Sequence, residues 1–386
     1  MPTGPAPERP GGAAGAAVAL GLALALALAL ALALLTACAP PAGTAPGAAP
    51  LLFAASGVDG TVTRIDASSG RADGPPLPAG PVPWQLAAGP AGDVLVLSNS
   101  ERHPGLLTHL LPTGGGWLAR TVRLEVGSRG DVLLAGAGGR YAVVGYTPAG
   151  GADPPAMRGC RLAVVDLVGG TSVRQVSVCA PGESRFGLAV EESPTGAVVY
   201  AGLWRGATTA TGTGSGALVA LDAATGAVLR RTPVSGTPER LVTGPAPGGE
   251  GRRLYCVEGW PGPEARYPID ERWRLLGLDP TTLATETVHP LRGDLPGLAV
   301  APDGDDAYAL EGSRELLHLE LSTGTVATLA TLPGHSVGGL AATDRWVYAP
   351  HSSGSAVWAI DRRSGRLVQS AATGRHPTAL VLSGPR

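Results

Sequence analysis

The sequence predicts an all-β protein, a seven-bladed β-propeller closed by a C-terminal inner strand that pairs with N-terminal strands. Three observations carry this reading. Apolar runs of about four to eight residues recur at an even spacing, each bounded by turn residues. Glycine (58) and proline (36) are abundant while aromatics are 4% of the chain, which suits many short strands and tight turns better than a helical core. Finally, the last copy of the repeat lacks a strand, and the first apolar run, 51–56, has no partner before it. Ends that fill each other's gap close a ring.

The chain divides into a targeting segment (1–37), a short tether (38–50) and the propeller (51–386). The segment 13–35 is an uninterrupted apolar stretch dominated by Ala-Leu alternation, ending in Leu35-Thr36-Ala37-Cys38. An apolar run followed by small residues has the form of a secretory signal. Leu-Thr-Ala-Cys resembles the lipobox of bacterial lipoproteins, which implies a lipid on Cys38 and cleavage before it. The stretch is also long enough to span a bilayer uncleaved, so an N-terminal helix remains the alternative anchor. Either way the body lies outside the cytoplasm, tied to a membrane, on a bacterial cell surface or in a periplasm.

Laid end to end, the copies each supply four strands, counted from the axis outward. The first is shared: 377–383 innermost, then 51–56, 61–66 and a proline-broken outer strand near 71–78. The second runs 84–88, 93–98, 106–111 and 117–126, and the third 131–135, 141–146, 161–166 and 172–178. The fourth runs 186–190, 197–203, 217–222 and 227–234, and the fifth 240–243, 253–258, 273–279 and 283–288. The sixth is 297–301, 306–311, 315–320 and 323–332, and the seventh 338–342, 346–350, 356–361 and 366–373. Six or eight blades stay open because the second copy lacks the acid that closes the third strand elsewhere.

The stretches VYAPHSSGSAVWAIDRRSGRLVQSAATGRHPTALVLS and AYALEGSRELLHLELSTGTVATLATLPGHSVGGLAA resemble the YVTN-type β-propeller repeat. That pattern is a tyrosine-valine strand, a strand ending in Ile-Asp, a Thr-Gly turn and a Gly-Pro corner. The resemblance extends over nearly all of 51–386 and implies the fold; it leaves the activity open, because one fold hosts unrelated activities.

The formal net charge of −2 and the absence of a basic stripe exclude a general nucleic-acid binder. An extracytoplasmic address permits disulfides. Cys160 and Cys179 flank a hairpin centred on Gly169-Gly170 and would face one another across it, paired or as two thiols on a strand edge. Cys256, inside LYCV, reads as a buried apolar residue.

In such blades the loops after the second strand and the corners into the next innermost strand share one rim. The longest connections there, 147–159, 204–216 and 259–272, mark that rim as the binding face. Arg129, Arg185, Arg240, Arg292 and Arg375 fall at or just before the start of innermost strands, and Trp84 opens another. Guanidinium groups converging there would favour an anionic ligand; the alternative is that each is solvated or pairs with acids such as Glu183, Glu239 and Asp294. His103, His289, His335, His351 and His376 also come to this rim. Imidazoles suit Zn, Cu and Fe, so a metal on His335, His376, His289 or His351 belongs to an enzymatic alternative.

No HExxH, GxSxG or Walker A motif is present and no cofactor is implied. The first functional reading is a membrane-anchored binding or scaffold module with a protein, peptide or saccharide partner. The alternative is a lactonase- or lyase-like propeller enzyme working at the channel mouth.

Overall fold

Leu51–Ser56 (β1) pairs on one side with Thr61–Asp66 (β2) and on the other with Pro377–Ser383 (β29), so the first sheet is built from both ends of the chain. The computed structural model describes residues 50–383 apart from 90–91, 101–102, 125–129, 137–140, 147–159, 168–172, 180–182, 194–195, 206–214, 250, 261–271 and 293–294. Backbone alone is described at 99–100, 103–104, 130–136, 173, 184–186, 193, 215, 260, 272 and 369. The targeting segment, the lipobox with Cys38 and the tether lie outside the described residues, as do the three longest predicted loops for most of their length. Among the described residues no helix is long and apolar enough to cross a membrane.

The first blade ends in two fragments, Arg71–Ala72 (β3) and Leu77–Pro78 (β4), which both pair with β2. Gly74, Pro75 and Pro76 separate them; prolines cannot donate to a ladder and are tolerated because this strand is an edge.

Six further four-stranded sheets follow in chain order. Pro83–Ala88 (β5), Val94–Ser100 (β6), His103–Thr113 (β7) and Gly116–Arg123 (β8) form the second blade. The third is Gly130–Gly136 (β9), Tyr141–Tyr146 (β10), Arg161–Asp166 (β11) and Val173–Ser177 (β12). Glu183–Ser193 (β13), Gly196–Arg205 (β14), Ser215–Asp222 (β15) and Val228–Val234 (β16) make the fourth. Thr237–Pro245 (β17), Arg252–Trp260 (β18), Arg272–Leu278 (β19) and Thr285–Leu291 (β20) make the fifth. The sixth is Leu298–Val300 (β21), Asp306–Glu311 (β22), Glu315–Glu320 (β23) and Thr325–Thr331 (β24). Ala341–Ala342 (β25), Trp346–His351 (β26), Ala356–Asp361 (β27) and Leu367–Ala372 (β28) complete the seventh. The innermost strands β29, β5, β9, β13, β17, β21 and β25 neighbour one another in turn and β25 returns to β29, which closes the ring of seven blades.

Packing between blades explains the closure. Each second and third strand is apolar on both faces, and the buried clusters run from blade to blade: Phe53 and Val62 of the first blade pack with Val94 and Val96 of the second. At the other side Leu52 and Ile65 pack with Tyr348 and Val357 of the seventh. A lone blade would leave such faces in water, at about 25 cal/mol per Å².

The repeat's two polar signatures acquire physical roles. The acid ending the third strand accepts hydrogen bonds from the turn that follows: Asp222 from the Thr225 N–H and hydroxyl at 2.6 Å each, Asp279 from those of Thr282 at 2.6 and 2.8 Å, and Asp361 from those of Ser364 at 2.9 and 2.8 Å. Asp66 does the same with Ser68. The tyrosine of the second strand is buried in blades four to seven as Tyr200, Tyr255, Tyr308 and Tyr348. Two of these hydroxyls reach the next blade. Tyr200 Oη donates to Glu191 Oε2 of its own blade at 2.8 Å and lies 3.1 Å from Pro280 O of the next, and Tyr348 donates to Ala67 O at 2.7 Å across the closing seam. Tyr308 instead receives Arg362 Nε of the seventh blade at 2.7 Å, and the same guanidinium binds Asp303 and Asp306.

The structure contains the disulfide between Cys160 and Cys179, with Cα atoms 5.1 Å apart. Its register differs from the expected one by a residue. Arg161 faces Ser177, which sets Cys160 opposite Val178, and Cys160 O accepts from the N–H groups of both Val178 and Cys179. The shared carbonyl gathers the extra residue at the strand end and brings Cys179 into reach. Cys256 is buried, as expected, and burial pushes its thiol pKa well up.

Candidate binding site at the channel mouth

Five of the seven innermost strands carry a β-bulge close to their start. Trp84 is the extra residue in β5, Asp131 in β9, Phe186 in β13, Glu239 in β17 and Thr378 in β29, each skipped by the pairing to the second strand. A bulge bends its strand and re-aims a side chain, and bulges gather at barrel rims and beside binding sites. Here they lie at the rim where the corners feed the innermost strands.

A cavity of about 360 Å³ opens on the axis at this rim. Its polar lining is Gln85, Glu239, Arg240, His376 and Thr378, with Trp84 beside them. Leu86, Leu188, Leu241 and Leu380 supply apolar wall, and Gly187, Gly338 and Gly339 let backbone form the rest. Trp84 is 48% exposed and Val337 41%, unusual for large apolar groups at the centre of a fold. A volume of this size sits at the lower end of the range for small-ligand pockets.

The corner that carries His376 is strained. Its φ is +56°, and that of Val82 at the neighbouring corner is +49°; both residues precede a proline. A left-handed conformation is costly for a β-branched residue, and a following proline disfavours departures from extended backbone. Three hydrogen bonds fix the His376 corner: its N–H to Gly354 O, its carbonyl from Gly57 N–H, and its Nδ1 to Ser352 O. A carbonyl only accepts, so Nδ1 carries the proton and Nε2 is left as an acceptor. Thr378 Oγ1 donates to Pro83 O at 2.9 Å, fastening the entry of β29 to that of β5 and so the His376 corner to Trp84.

The rim residues anticipated from sequence distribute unevenly. Trp84, Arg240 and His376 line one cavity. Arg375 turns to Asp59 instead, and Arg292 stands exposed in the corner before β21, away from the described lining. Arg129 lies outside the described residues; Arg185 and His103 fall in β13 and β7, where only backbone is described. Of the acids weighed as their partners, Glu183 pairs with Arg231.

The histidines whose side chains are described do not gather into a metal site. His335 Nδ1 meets Ser313 Oγ at 3.1 Å, and His351 stacks on Trp358 with ring centroids 4.3 Å apart. His289 sits on the outermost strand of the fifth blade, packed on Gly324 of the sixth. Burial, then Arg253, holds its pKa below the ordinary histidine value. Among the described residues no group of three or more His, Cys, Asp or Glu could hold a metal ion.

Gln85 and Thr378 were missed by sequence reasoning, and Glu239 was read only as a partner for the rim arginines. A signal existed: three bulged residues directly follow a proline that opens the innermost strand, in Pro83-Trp84, Pro238-Glu239 and Pro377-Thr378.

Comparison with solved structures gives the fold alone. The chain is similar to a protein of unknown function from Desulfotomaculum acetoxidans, at 12% identity and a TM-score of 0.60 over 87% of this chain and 99% of that one. It is similar to a candidate 6-phosphogluconolactonase from Bacteroides uniformis, at 14% identity and a TM-score of 0.58 over 86% and 99%. Apo AztD from Citrobacter koseri matches at 16% identity and a TM-score of 0.51 over 88% and 100%. No protein-family model and no curated protein matches the sequence.

Proposed function

We propose that the protein is an extracytoplasmic binding module, held to a membrane through lipid on Cys38 or through an uncleaved 13–35 helix, that takes part of a peptide or saccharide into the mouth of its channel. The observation that carries this reading is the repeated bulge: the extra residues Trp84, Glu239 and Thr378 all line one axial cavity. Its walls offer an apolar ring for stacking beside a carboxylate, a guanidinium, a hydroxyl and an imidazole acceptor. That mix suits a ring-bearing group with hydrogen-bonding edges. The disulfide supports an oxidising address.

Two experiments test the two halves of the reading. Binding of the full chain to peptide and glycan arrays should give hits that Trp84→Ala and Thr378→Ala weaken by tenfold or more, about 1.4 kcal/mol; hits that both variants retain would remove the mouth from the reading. Mass spectrometry of the membrane fraction should find diacylglycerol on Cys38, and a Cys38→Ala chain that still fractionates with membranes would favour the helix.

One observation favours a second reading. With Nδ1 committed to Ser352 O, His376 presents Nε2 as a base at the cavity, as a lactone-hydrolysing or lyase enzyme would need. Turnover of a lactone panel that disappears in His376→Gln would support the enzyme.

A further inference from the structure

Turns joining the third and outermost strands press a glycine against the outermost strand of the preceding blade. Gly226 meets Val176, Gly324 meets His289 and Gly365 meets Leu329. At Gly226 and Gly324 a branched or ring side chain fills the outer groove, and at Gly365 the Leu329 carbonyl does so with its side chain beside it. At the seam between the seventh blade and the first, the corresponding pair is Gly70 and Ser370. Serine is too short to fill the groove, and a cavity of about 280 Å³ remains.

Its lining has a definite chemistry: Ser69, Arg71, Trp346, Tyr348, Val368 and Ser370. Tyr348 is fully buried beneath the cavity, its hydroxyl committed to Ala67 O, so Trp346 and the exposed Val368 supply the apolar wall, with Arg345 over one face of the Trp346 ring, 4.5 Å from its centroid. Ser370 has committed its hydroxyl hydrogen to Val357 O. Arg71 is exposed at the edge and has no ion-pair partner among the described residues. Ser69 Oγ accepts the Arg71 N–H, which leaves its hydroxyl hydrogen to donate. Carboxylates in the flanking turns are engaged already, Asp66 by Ser68 and Ser69 and Asp361 by Ser364. Aromatic surface with unspent donors at one edge calls for a flat apolar body that ends in an anion.

We propose that this seam is a second binding site, for a small ring-bearing carboxylate whose ring lies against Trp346 and Val368 and whose carboxylate is held by Arg71 and Ser69. The site stands apart from the channel mouth. An occupant would touch the first and last blades together, so it binds only the closed ring and raises the unfolding midpoint.

The test uses the full chain and benzoate, with benzamide as its neutral counterpart. Saturation-transfer NMR should show saturable benzoate binding, weaker by tenfold or more for benzamide and for Arg71→Gln. Benzoate should also raise the unfolding midpoint. Ser370→Leu, which supplies the side chain the other junctions have, should abolish both signals while the chain stays folded; Ser370→Val serves in the same way should leucine prevent folding. Absence of saturable binding up to about 10 mM, where the free energy falls below about 3 kcal/mol, overturns the proposal. So does benzoate binding that survives the filled groove.

Discussion

Arg375 donates both its backbone N–H and its guanidinium Nε to the Asp59 carboxylate, at 2.6 and 2.9 Å. Asp59 lies in the turn between β1 and β2, and Arg375 in the corner that feeds β29, so this contact ties the last corner to the first hairpin. The bond to Arg375 holds the Asp59 pKa below the usual carboxylate value. Both side chains are largely solvated, so the contact guides the seam more than it secures it. Asp59→Asn should lower the melting midpoint by no more than about 2 °C. Removal of 375–386 takes away β29 itself and exposes Phe53 and Leu52 on an unpaired edge. That deletion should yield a chain that aggregates or is cleaved by dilute protease; a melting curve like that of the intact chain would contradict the latch.

Tyr348→Phe leaves the ring in place and removes only the hydroxyl that reaches Ala67. The buried carbonyl then lacks its donor, at a cost of about 1 kcal/mol, or roughly 2–4 °C in midpoint. Burial pushes the Tyr348 hydroxyl up to about 12, so the bond persists through neutral and mildly alkaline pH. Calorimetry from pH 7 to 9 should show an unchanged gap between the two proteins.

Hydrogen bonds from the turns hold Asp66, Asp222, Asp279 and Asp361 below the ordinary carboxylate value. Depressed folded values mean that the stability they contribute is present above about pH 4 and is lost as pH falls through the folded pKa values. Asp222→Ala should therefore melt below the parent protein at pH 7, and the difference should shrink progressively below pH 4. A difference that is constant down to pH 2 would assign the loss to something other than the carboxylate charge.

Cys160 and Cys179 are 19 residues apart. A closed loop of this length restricts the unfolded chain by about 3 kcal/mol. Thiol reductant, or Cys160→Ser with Cys179→Ser, should lower stability by about 2–3 kcal/mol in denaturant titration. A reduced protein as stable as the oxidised one would show that the strand end holds its position without the bond.

Most of the architecture was legible because its signals are local. β1, β2 and β29 begin and end at the expected residues, since turn chemistry brackets them on both sides. The outermost strand of the first blade is split where Pro75 and Pro76 interrupt it, as proline should dictate. Errors arose where a single extra residue decides the outcome. The Cys179 register and the bulges at Glu239 and Thr378 add one residue to a ladder, which no apolar alternation reveals. The site was half legible for the same reason. Trp84 and Arg240 could be placed at a strand start, whereas aiming one arginine at the axis and another at Asp59 depends on contacts between blades remote in sequence. The tyrosines were legible as strand residues; the partners that Tyr308 and Tyr348 find one blade further on, Arg362 and Ala67, were not.

The sharing of one sheet between β1 and β29 also sets a timetable for biosynthesis. The partner of β1 is made only after the other strands of all seven blades, so the nascent chain cannot complete its toroid until β29 has emerged. Contacts of such long sequence separation form slowly, and Phe53 and Leu52 must wait for them. Until then the growing propeller is an open row of blades, and the ring closes when β29 meets β1.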